Sequence, residues 1–475
     1  MTATTASEAA LAHRFAAQRV AFDRERYPSL AARRDRLQRL LQLVERNEKA
    51  FCDAVDADFG HRSTHETRLA ELYVVTSEIR HTLRHLRHWM RARRVATPLK
   101  LLPGSARVLR QPLGVVGVIS PWNYPVQLAL APVVGALAAG NRVMLKPSEL
   151  TPATSGLLQR LAGVAFADDE LAMVVGDAQT GEAFSHLPFD HLFFTGSTAV
   201  GRKIALAAAD HLTPVTLELG GKSPALFDVD ADLALALPRL AVGKLLNAGQ
   251  TCIAPDYALV PAAQLDRFVA AMQEAVLRLY PTFADNDDYT SIVNDRHYAR
   301  LTALLDDART KGARIVPLAP PGDAANGVRR LAPALVLDVT PDMALMREEI
   351  FGPLLPVETY GTLDDAIARL NARPHPLAFY YFGADRARRD RVLRETLAGG
   401  ATVNDTLWHF VHEGLPFGGV GGSGIGAYHG ERSFLTFTHE KGVFVQSRAS
   451  AARLLYPPYG RTFERMLAFL HRIGR

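Results

Sequence analysis

The chain has 475 residues, of which 48% are hydrophobic and 22% charged, and its formal net charge is +5. This length and composition predict two or three globular domains and exclude collagen-like, fibrous and disordered classes. With only two cysteines, Cys52 and Cys252, at most one disulfide could form, and a chain of this size can bury its core without one. Cys252 is therefore either a small packed side chain or a reactive thiol.

The N-terminal stretch is interrupted by His13, Arg14 and Arg19 before a secretory apolar core could form, so we expect no signal peptide. The longest apolar run, residues 128–140, is shorter than the about 20 residues that cross a bilayer. These features predict a soluble, cytoplasmic protein.

Residues 7–95 are rich in Ala, Leu, Arg and Glu at helical spacing and predict a helical opening segment. Leu83, Leu86 and Trp89 recur every three residues and indicate an amphipathic helix with a basic face. That face could bind nucleic acid or an acidic partner. A solvated helix surface explains it more simply, and no nucleic-acid motif accompanies it, so no nucleic-acid partner is expected.

From residue 114 onward, short apolar strands alternate with helical segments. The strands GVVGVIS, RVMLK, HLFFTGS and VTLEL are each followed by a helix or a glycine-containing loop. This alternation predicts an α/β fold with a doubly wound, mostly parallel sheet. Ligands on such sheets bind beyond the carboxyl ends of the strands, which here carry the sequences SPWNYP, KPSE, TGSTAVG and LGGKSP.

Two glycine patterns could indicate a phosphate site. Gly419, Gly421 and Gly424 complete a G-x-G-x-x-G match, but it follows a Pro-Phe loop instead of a strand, so we do not interpret it as a dinucleotide fingerprint. Gly196 and Ser197 follow a strand and open a helix, where free amides and the helix dipole favour an anion. An ordinary capped helix explains the same residues, and they do not decide between the two.

Seven motifs occur together in the order and spacing of the aldehyde dehydrogenase superfamily, which the chain resembles from about residue 100 to 440. They are PWNYP, KPSELTP, FTGSTAVG, LELGGKSP, GQTCIAPDY, EEIFGP and LPFGGVGGSGIGAYHG. The ending GAYHGERSFLTFTHEKGV resembles the class 3 branch, and the tail YPPYGRTFERMLAFL is similar to bacterial coniferyl aldehyde dehydrogenases. The resemblance implies oxidation of an aromatic aldehyde such as coniferaldehyde, or of another hydrophobic aldehyde, to the acid.

The resemblance implies three catalytic residues. Cys252 would attack the aldehyde as a thiolate, activated by a nearby helix start and by the cationic nicotinamide, because a flat carbonyl carbon must become tetrahedral before it releases hydride. Glu218 would be the general base, with its proton affinity raised by partial desolvation. Asn123 and the Cys252 amide would bind the oxyanion. From the residues alone, a structural thiol, an ion-paired Glu218 and a turn asparagine stay possible.

The implied cofactor is NAD, with NADP possible, and no metal is expected. The matching residues are Lys146 and Glu149 for the adenosine ribose, Gly196 and Ser197 for the pyrophosphate, and Glu349 and Phe351 for the nicotinamide ribose and ring. Glu149 favours a free ribose 2′-hydroxyl, whereas Lys146 could tolerate a phosphate there.

No motif encodes the substrate. Four aromatic residues could line an apolar pocket or simply fill the core: Tyr124, Trp408, Phe410 and Phe417. The C-terminal tail predicts an amphipathic helix with apolar residues on one face: Phe463, Met466, Leu467, Leu470 and Ile473. We expect this face to dock on the protein itself or on a dimer partner, and at most to touch a membrane surface.

The expected organisation has four parts. They are a cofactor domain (residues 1–96 and 114–228), a catalytic thiol domain (229–415), a bridging arm (97–113 and 430–447) and a C-terminal tail (448–475). The class 3 resemblance implies that the arm pairs two subunits in a homodimer. Three alternatives stay open: a fatty aldehyde dehydrogenase, a thiol esterase without hydride transfer, and a non-catalytic structural or membrane-surface protein on the same fold.

Overall fold

The computed structural model of the chain describes residues 8–320 and 329–473, in which the strands form three sheets. The strands are β1 (Arg93–Val95), β2 (Ser105–Pro112), β3 (Val115–Ile119), β4 (Arg142–Lys146), β5 (Leu171–Met173), β6 (His191–Thr195), β7 (Val215–Glu218), β8 (Pro224–Phe227), β9 (Tyr257–Pro261), β10 (Arg314–Pro317), β11 (Ala334–Leu337), β12 (Leu354–Tyr360), β13 (Ala378–Phe382), β14 (Gly400–Val403), β15 (Gly424–Ile425) and β16 (Thr438–Val445).

The helices flank these sheets. They are α1 (Glu8–Arg24), α2 (Leu30–Arg46), α3 (Glu48–Phe59), α4 (Thr64–Thr67), α5 (Val74–Trp89), α6 (Gln127–Ala139), α7 (Pro152–Ala165), α8 (Ala178–Ser185), α9 (Thr198–Ala209), α10 (Leu233–Leu245), α11 (Leu265–Leu279), α12 (Asp295–Thr310), α13 (Ala344–Arg347), α14 (Leu363–Asn371), α15 (Arg386–Glu395), α16 (Trp408–Val411), α17 (Gly430–Thr436) and α18 (Arg461–Ile473).

The first sheet has the strand order β15-β7-β6-β3-β4-β5. Strands β3 to β7 pair in parallel, and only the short β15 is antiparallel. Val116 and Val118 of β3 pack in the apolar cluster that contains α6, whereas Val115 and Ile119 pack in the cluster on the other face. Because side chains alternate along a strand, both faces of the sheet are covered. The predicted doubly wound α/β fold is confirmed.

The second sheet has the order β10-β11-β12-β9-β8-β13-β14. All neighbours are parallel except β10 and β11. Parallel pairing of β8, β9 and β12 brings their amino ends to one edge of the second sheet. The short connection from Glu218 to Pro224 joins the carboxyl end of β7 in the first sheet to this edge.

Strand pairing shifts two of the expected domain boundaries. The boundary at residue 228 falls after β8, but β8 pairs with β9 and β13 of the second sheet, so the division lies between Glu218 and Pro224. The boundary at residue 96 falls after β1, but β1 pairs with β2 in the arm. The helical segment therefore ends near Trp89, because residues 93–95 pair with β2. Local spacing cannot reveal such a strand partner.

The arm is a three-stranded antiparallel sheet of β1, β2 and β16. It presents exposed apolar side chains, among them Val95, Phe444 and Val445. In the tail, four of the five residues predicted to form the apolar face of α18 are half-buried, namely Phe463, Met466, Leu467 and Leu470, whereas Phe469 is exposed. The side chain of Ile473 and residues 1–7, 321–328 and 474–475 lie outside the described part. Within that part, no helix is long and apolar enough to span a bilayer.

Candidate active site

The predicted site residues collect where the two sheets face each other. The carboxyl ends of β3, β4, β6 and β7 carry Asn123, Lys146, Ser197 and Glu218, as expected for ligand sites on parallel sheets. The second sheet contributes site residues from the amino ends of its strands, because Cys252 precedes β9 and residues 349–351 precede β12.

Asn123 is joined directly to the loop that carries the thiol. Its Nδ2 donates to the carbonyl oxygen of Gln250 at 3.1 Å, and its own carbonyl oxygen accepts from Nδ2 of Asn247 at 2.9 Å. The Asn123 side chain is 3% exposed. An amide with two N–H donors that uses one of them to fix its orientation keeps the second for another acceptor.

Cys252 lies in a turn between the end of α10 and β9, in a partly exposed position. The backbone amides of Cys252 and Ile253 point towards its sulfur. Burial, together with the nearby carboxyl groups of Glu349 and Glu218, nevertheless raises the pKa of Cys252 to about 12. α10 ends before this turn, and the described groups that lower the thiol pKa are the two backbone amides.

The backbone before the thiol is held in an unusual conformation. Asn247 and Ala248 have φ values of 54° and 51°, in the left-handed region that non-glycine residues seldom adopt. Such strain persists only where surrounding contacts impose it. Gln250, buried behind the turn, supplies several: its Nε2 donates to the carbonyl oxygens of Asn247 and Ser291, both at 3.0 Å, and its Oε1 accepts from the amide of Val293.

Glu218 ends β7 and is 2% exposed. Neither of its carboxyl oxygens has a hydrogen-bond partner among the described residues. Burial raises the pKa of Glu218 well above its usual value. An unpaired carboxyl group beside a thiol is typical of an acid–base residue and unusual for a structural one.

The loop before β12 is anchored to the connection between the two sheets. Nζ of Lys222 donates to the carboxylate of Asp256 and to the carbonyl oxygen of Glu348 at 2.9 Å, and the amide of Ile350 donates to Asp256 at 2.9 Å. A Cβ atom at Gly220 would lie 2.1 Å from Oε2 of Glu349, so any larger residue at this position would displace the carboxyl group.

Two features of this loop face the site. Burial, and then the carboxylate of Asp256, raise the pKa of Glu349 to about 8. Phe351 has a φ of 50°, and its ring lies edge-on to Trp122 with centroids 5.4 Å apart. Phe351 is therefore close to the PWNYP segment, and Glu349 is close to Cys252.

The predicted phosphate and ribose contacts line the first sheet. Nζ of Lys146 donates to Oε2 of Glu149 at 2.7 Å, and Lys146 is 3% exposed. Ser197 caps α9, where its Oγ accepts from the amide of Val200 at 3.4 Å, and Gly196 donates its amide to the Glu218 carbonyl at 3.0 Å.

The G-x-G-x-x-G match has a different place in the fold. Gly424 opens β15, which pairs antiparallel with Glu218 and Leu217 of β7. A Cβ atom at Gly424 would lie 2.5 Å from the carbonyl oxygen of Leu217. These glycines therefore permit a close strand pairing that covers the edge beside Glu218.

The four aromatic candidates separate into three positions. Tyr124 is buried, and its hydroxyl is 2.7 Å from Oγ1 of Thr251, next to the thiol. Phe410 and Phe417 pack edge to face with centroids 4.9 Å apart. Trp408 is 61% exposed on α16, so the structure does not bring it together with the others.

A buried polar layer beneath the thiol loop was missed by the sequence analysis. Arg62 is fully buried, donates to Glu71 at 2.9 Å and to the Asn123 carbonyl at 3.1 Å, and lies over the ring of Tyr124. Glu66 accepts from the amide of Asn247 at 3.1 Å. In the sequence these residues stand in an ordinary charged helical segment, and no spacing distinguishes them from a solvated face.

Comparison with protein families supports the motif-based prediction. A family model described as the aldehyde dehydrogenase family matches residues 1–443. A protein of Pseudomonas aeruginosa named probable coniferyl aldehyde dehydrogenase is 51% identical over 453 residues, covering 95% of this chain and 94% of that protein. The coniferyl aldehyde dehydrogenase of a Pseudomonas species is 47% identical over 446 residues, covering 93% of this chain and 92% of its own.

Solved structures agree with these relatives. The substrate-bound state of AldH from Staphylococcus aureus superposes with a TM-score of 0.92 at 38% identity, and covers 97% of this chain and 99% of its own. An aldehyde dehydrogenase of Mycobacterium tuberculosis, complexed with NAD+, superposes with a TM-score of 0.84 at 29% identity, and covers 94% of this chain and 92% of its own.

Proposed function

This chain belongs to the aldehyde dehydrogenase family, as its seven motifs predicted, and we propose that it oxidises coniferaldehyde, or a closely similar aromatic aldehyde, to the carboxylic acid with NAD. The observation that carries the proposal is the convergence of Cys252, Glu218 and Asn123 at the edge between the two sheets. The names of the two Pseudomonas relatives suggest the aldehyde. The esterase and non-catalytic alternatives are not favoured by this family membership.

The residues present fit a nicotinamide dinucleotide. Lys146 uses one N–H donor on Glu149 and keeps others, while Glu149 can accept from a ribose hydroxyl. The first-turn amides of α9, beside Ser197, form a place for the pyrophosphate. When bound, the nicotinamide ring supplies the hydride acceptor. NADP is an alternative, because Lys146 could also pair with a 2′-phosphate.

In the first half-reaction, Sγ of Cys252 adds to the aldehyde carbon, and the carbonyl oxygen becomes an oxyanion. The free N–H of Asn123 and the backbone amide of Cys252 donate to this oxygen where charge develops. Departure of hydride then leaves a thioester on Cys252. Because its raised pKa keeps Cys252 protonated in the cofactor-free chain, the thiol proton must pass to solvent before Sγ attacks.

In the second half-reaction, Glu218 accepts a proton from the water that attacks the thioester carbon. Its carboxylate has no competing hydrogen-bond donor among the described residues, and its raised pKa makes it a strong base once ionised. Collapse of the tetrahedral adduct releases the acid and the thiol.

A substrate panel tests the proposal. Coniferaldehyde, benzaldehyde, hexanal and decanal are each supplied with NAD and with NADP, and the absorbance of the reduced cofactor is followed. We expect kcat/KM to be highest for coniferaldehyde with NAD. A higher value for hexanal or decanal would instead make the protein a fatty aldehyde dehydrogenase.

The assembly and location are part of the same proposal. Exposed Phe444 and Val445 on the edge of the arm support pairing of two subunits, because an apolar strand edge invites a partner. Light scattering should give a homodimer mass, and Phe444→Asp should give a monomer. Two free thiols suit a reducing compartment such as the cytoplasm, which fractionation of the cells can test.

A further inference from the structure

A cavity of about 110 Å³ lies between α5 and α16. Phe410 forms part of its apolar wall. Two buried polar side chains also line it, Glu78 of α5 and His429 before α17, which are 4% and 5% exposed. Glu78 stands in the basic amphipathic helix and His429 in the motif LPFGGVGGSGIGAYHG, and neither was singled out as a site residue from the sequence.

Both side chains present an unpaired polar atom. Oε1 of Glu78 and Nε2 of His429 are buried without a hydrogen-bond partner among the described residues. Burying such atoms costs free energy unless something pairs with them. Native structures seldom leave two of them on one cavity without a ligand or water.

The protonation of this pair defines what it can bind. Burial, and then the neighbouring Glu413, raise the pKa of Glu78 to about 8, so its carboxyl group carries a proton at neutral pH. Burial lowers the pKa of His429 to about 3, so its ring is neutral. The ring also hydrogen-bonds the backbone of Phe410, which leaves Nε2 as an acceptor. The cavity therefore offers one O–H donor and one nitrogen acceptor.

Tyr428 connects this cavity to the reactive residues. It is 1% exposed, its ring centroid lies 4.4 Å from that of His429, and its ionisable neighbours include Glu78, Glu218 and Cys252. The cavity and the reactive residues therefore share Tyr428 as a neighbour, which places the cavity where the far end of a substrate bound at the thiol would be sought.

We propose that Glu78 and His429 bind the phenolic hydroxyl of the aldehyde substrate, and that they select para-hydroxylated aromatic aldehydes over analogues without the hydroxyl. This inference rests on the proposed function. A phenol donates its proton to Nε2 of His429 and accepts from the carboxyl group of Glu78, so both unpaired atoms gain a partner. A substrate that ends in hydrogen or methyl leaves both unpaired, which is how sites built for a hydroxyl reject analogues that lack it.

The test compares coniferaldehyde with 3-methoxycinnamaldehyde, which differs only by loss of the hydroxyl. For the wild-type protein, we expect kcat/KM to be at least about tenfold higher for coniferaldehyde, the scale of one or two buried hydrogen bonds. Equal values for the two aldehydes would overturn the inference without any substitution. If neither is oxidised while hexanal is, the proposed function itself fails, and the inference with it.

Substitutions of Glu78 then test whether this residue gives the preference for the hydroxylated aldehyde. Glu78→Leu should bring the ratio of the two kcat/KM values close to one, because an apolar residue of similar size removes the hydrogen bond to the hydroxyl. Glu78→Gln retains an N–H donor and should keep part of the preference. A ratio unchanged in Glu78→Leu would overturn the assignment.

Glu413→Gln is the matched control. Glu413 lines the same cavity, but its Oε1 already accepts from Oγ of Ser77 at 2.6 Å. We expect its substitution to leave the substrate ratio unchanged, and a collapse of the ratio in this variant would contradict the choice of Glu78. Thermal melting separates these effects from misfolding, and Glu78→Leu should melt at or above the wild-type temperature because it removes a buried, unpaired carboxyl group.

Discussion

The two sides of the thiol loop, residues 247–253, differ in how their polar groups are satisfied. On the reactive side, both carboxyl oxygens of Glu218 are unpaired among the described residues, and the pKa of Cys252 is raised. On the opposite side, Arg62 donates to the carbonyl oxygen of Asn123, and Glu66 accepts from the amide of Asn247 in the loop. Groups that must react cannot also hold themselves in place, so the supporting side supplies the rigidity.

The largest effect should come from the reactive side. Cys252→Ala should lower aldehyde oxidation by about 10⁴-fold or more, the scale for loss of a nucleophile, and should also abolish hydrolysis of activated esters, since both pass through the same thioester. Reduced-cofactor absorbance and nitrophenyl ester release measure the two reactions.

Cys52→Ala is the control for that experiment. Cys52 is buried on α3 in the apolar core, and its substitution should leave turnover unchanged. A loss of turnover in Cys52→Ala similar to that in Cys252→Ala would mean that the two thiols act together.

Breaking the buried ion pair of Arg62 and Glu71 on the supporting side should lower the stability of the fold. Arg62→Met leaves the buried carboxylate of Glu71 without its cation, and we expect the free energy of unfolding to fall by about 3 kcal/mol. The exposed pair of Arg68 and Glu48 is the matched control, and Arg68→Met should cost less than about 1 kcal/mol. Urea denaturation measures both, and equal losses would show that the buried layer has no special role.

The raised thiol pKa predicts a pH dependence on the reactive side. In the cofactor-free protein, Cys252 stays mostly protonated below its pKa of about 12, so its alkylation by iodoacetamide should accelerate about tenfold per pH unit between pH 7 and 9. Mass spectrometry of the peptide containing residue 252 gives the rate. A plateau below pH 8 would show that the thiol is already activated in the absence of cofactor.

The smallest effect concerns the cofactor edge. Glu149→Gln should raise the KM for NAD by about threefold and leave or lower that for NADP, because it removes an acceptor for the 2′-hydroxyl and relieves repulsion of a 2′-phosphate. The effect is modest because the Glu149 side chain is 41% exposed. Equal changes in both KM values would place Glu149 away from the ribose.

The same division explains what the sequence could predict. Strands β3, β4, β6 and β7 and the residues after them were predictable, because buried parallel strands are continuous apolar runs and their polar ends stand out. Strand β1 was not, because its partner β2 lies beyond the intervening loop and its spacing looks helical.

The supporting residues were hidden for a related reason. Glu66 accepts a hydrogen bond from Asn247, which is 181 residues away in the sequence. No local sequence pattern distinguishes a buried Glu from a solvated one. The cavity pair was hidden in the same way, since Glu78 sits in a basic amphipathic helix and His429 at the end of a glycine-rich motif. Function that depends on unpaired buried atoms becomes visible only when their surroundings are known.

The central claim is that Cys252 carries the acyl group and that Glu218 removes it. Glu218→Gln, mixed rapidly with NAD and coniferaldehyde, tests both roles, because the amide has nearly the same shape but cannot accept the water proton. We expect a burst of reduced cofactor close to one equivalent per site, then a steady rate lowered by about a hundredfold, with the acyl group found on Cys252 by mass spectrometry. Steady turnover near the wild-type rate, or an acyl group on any other residue, would contradict the account.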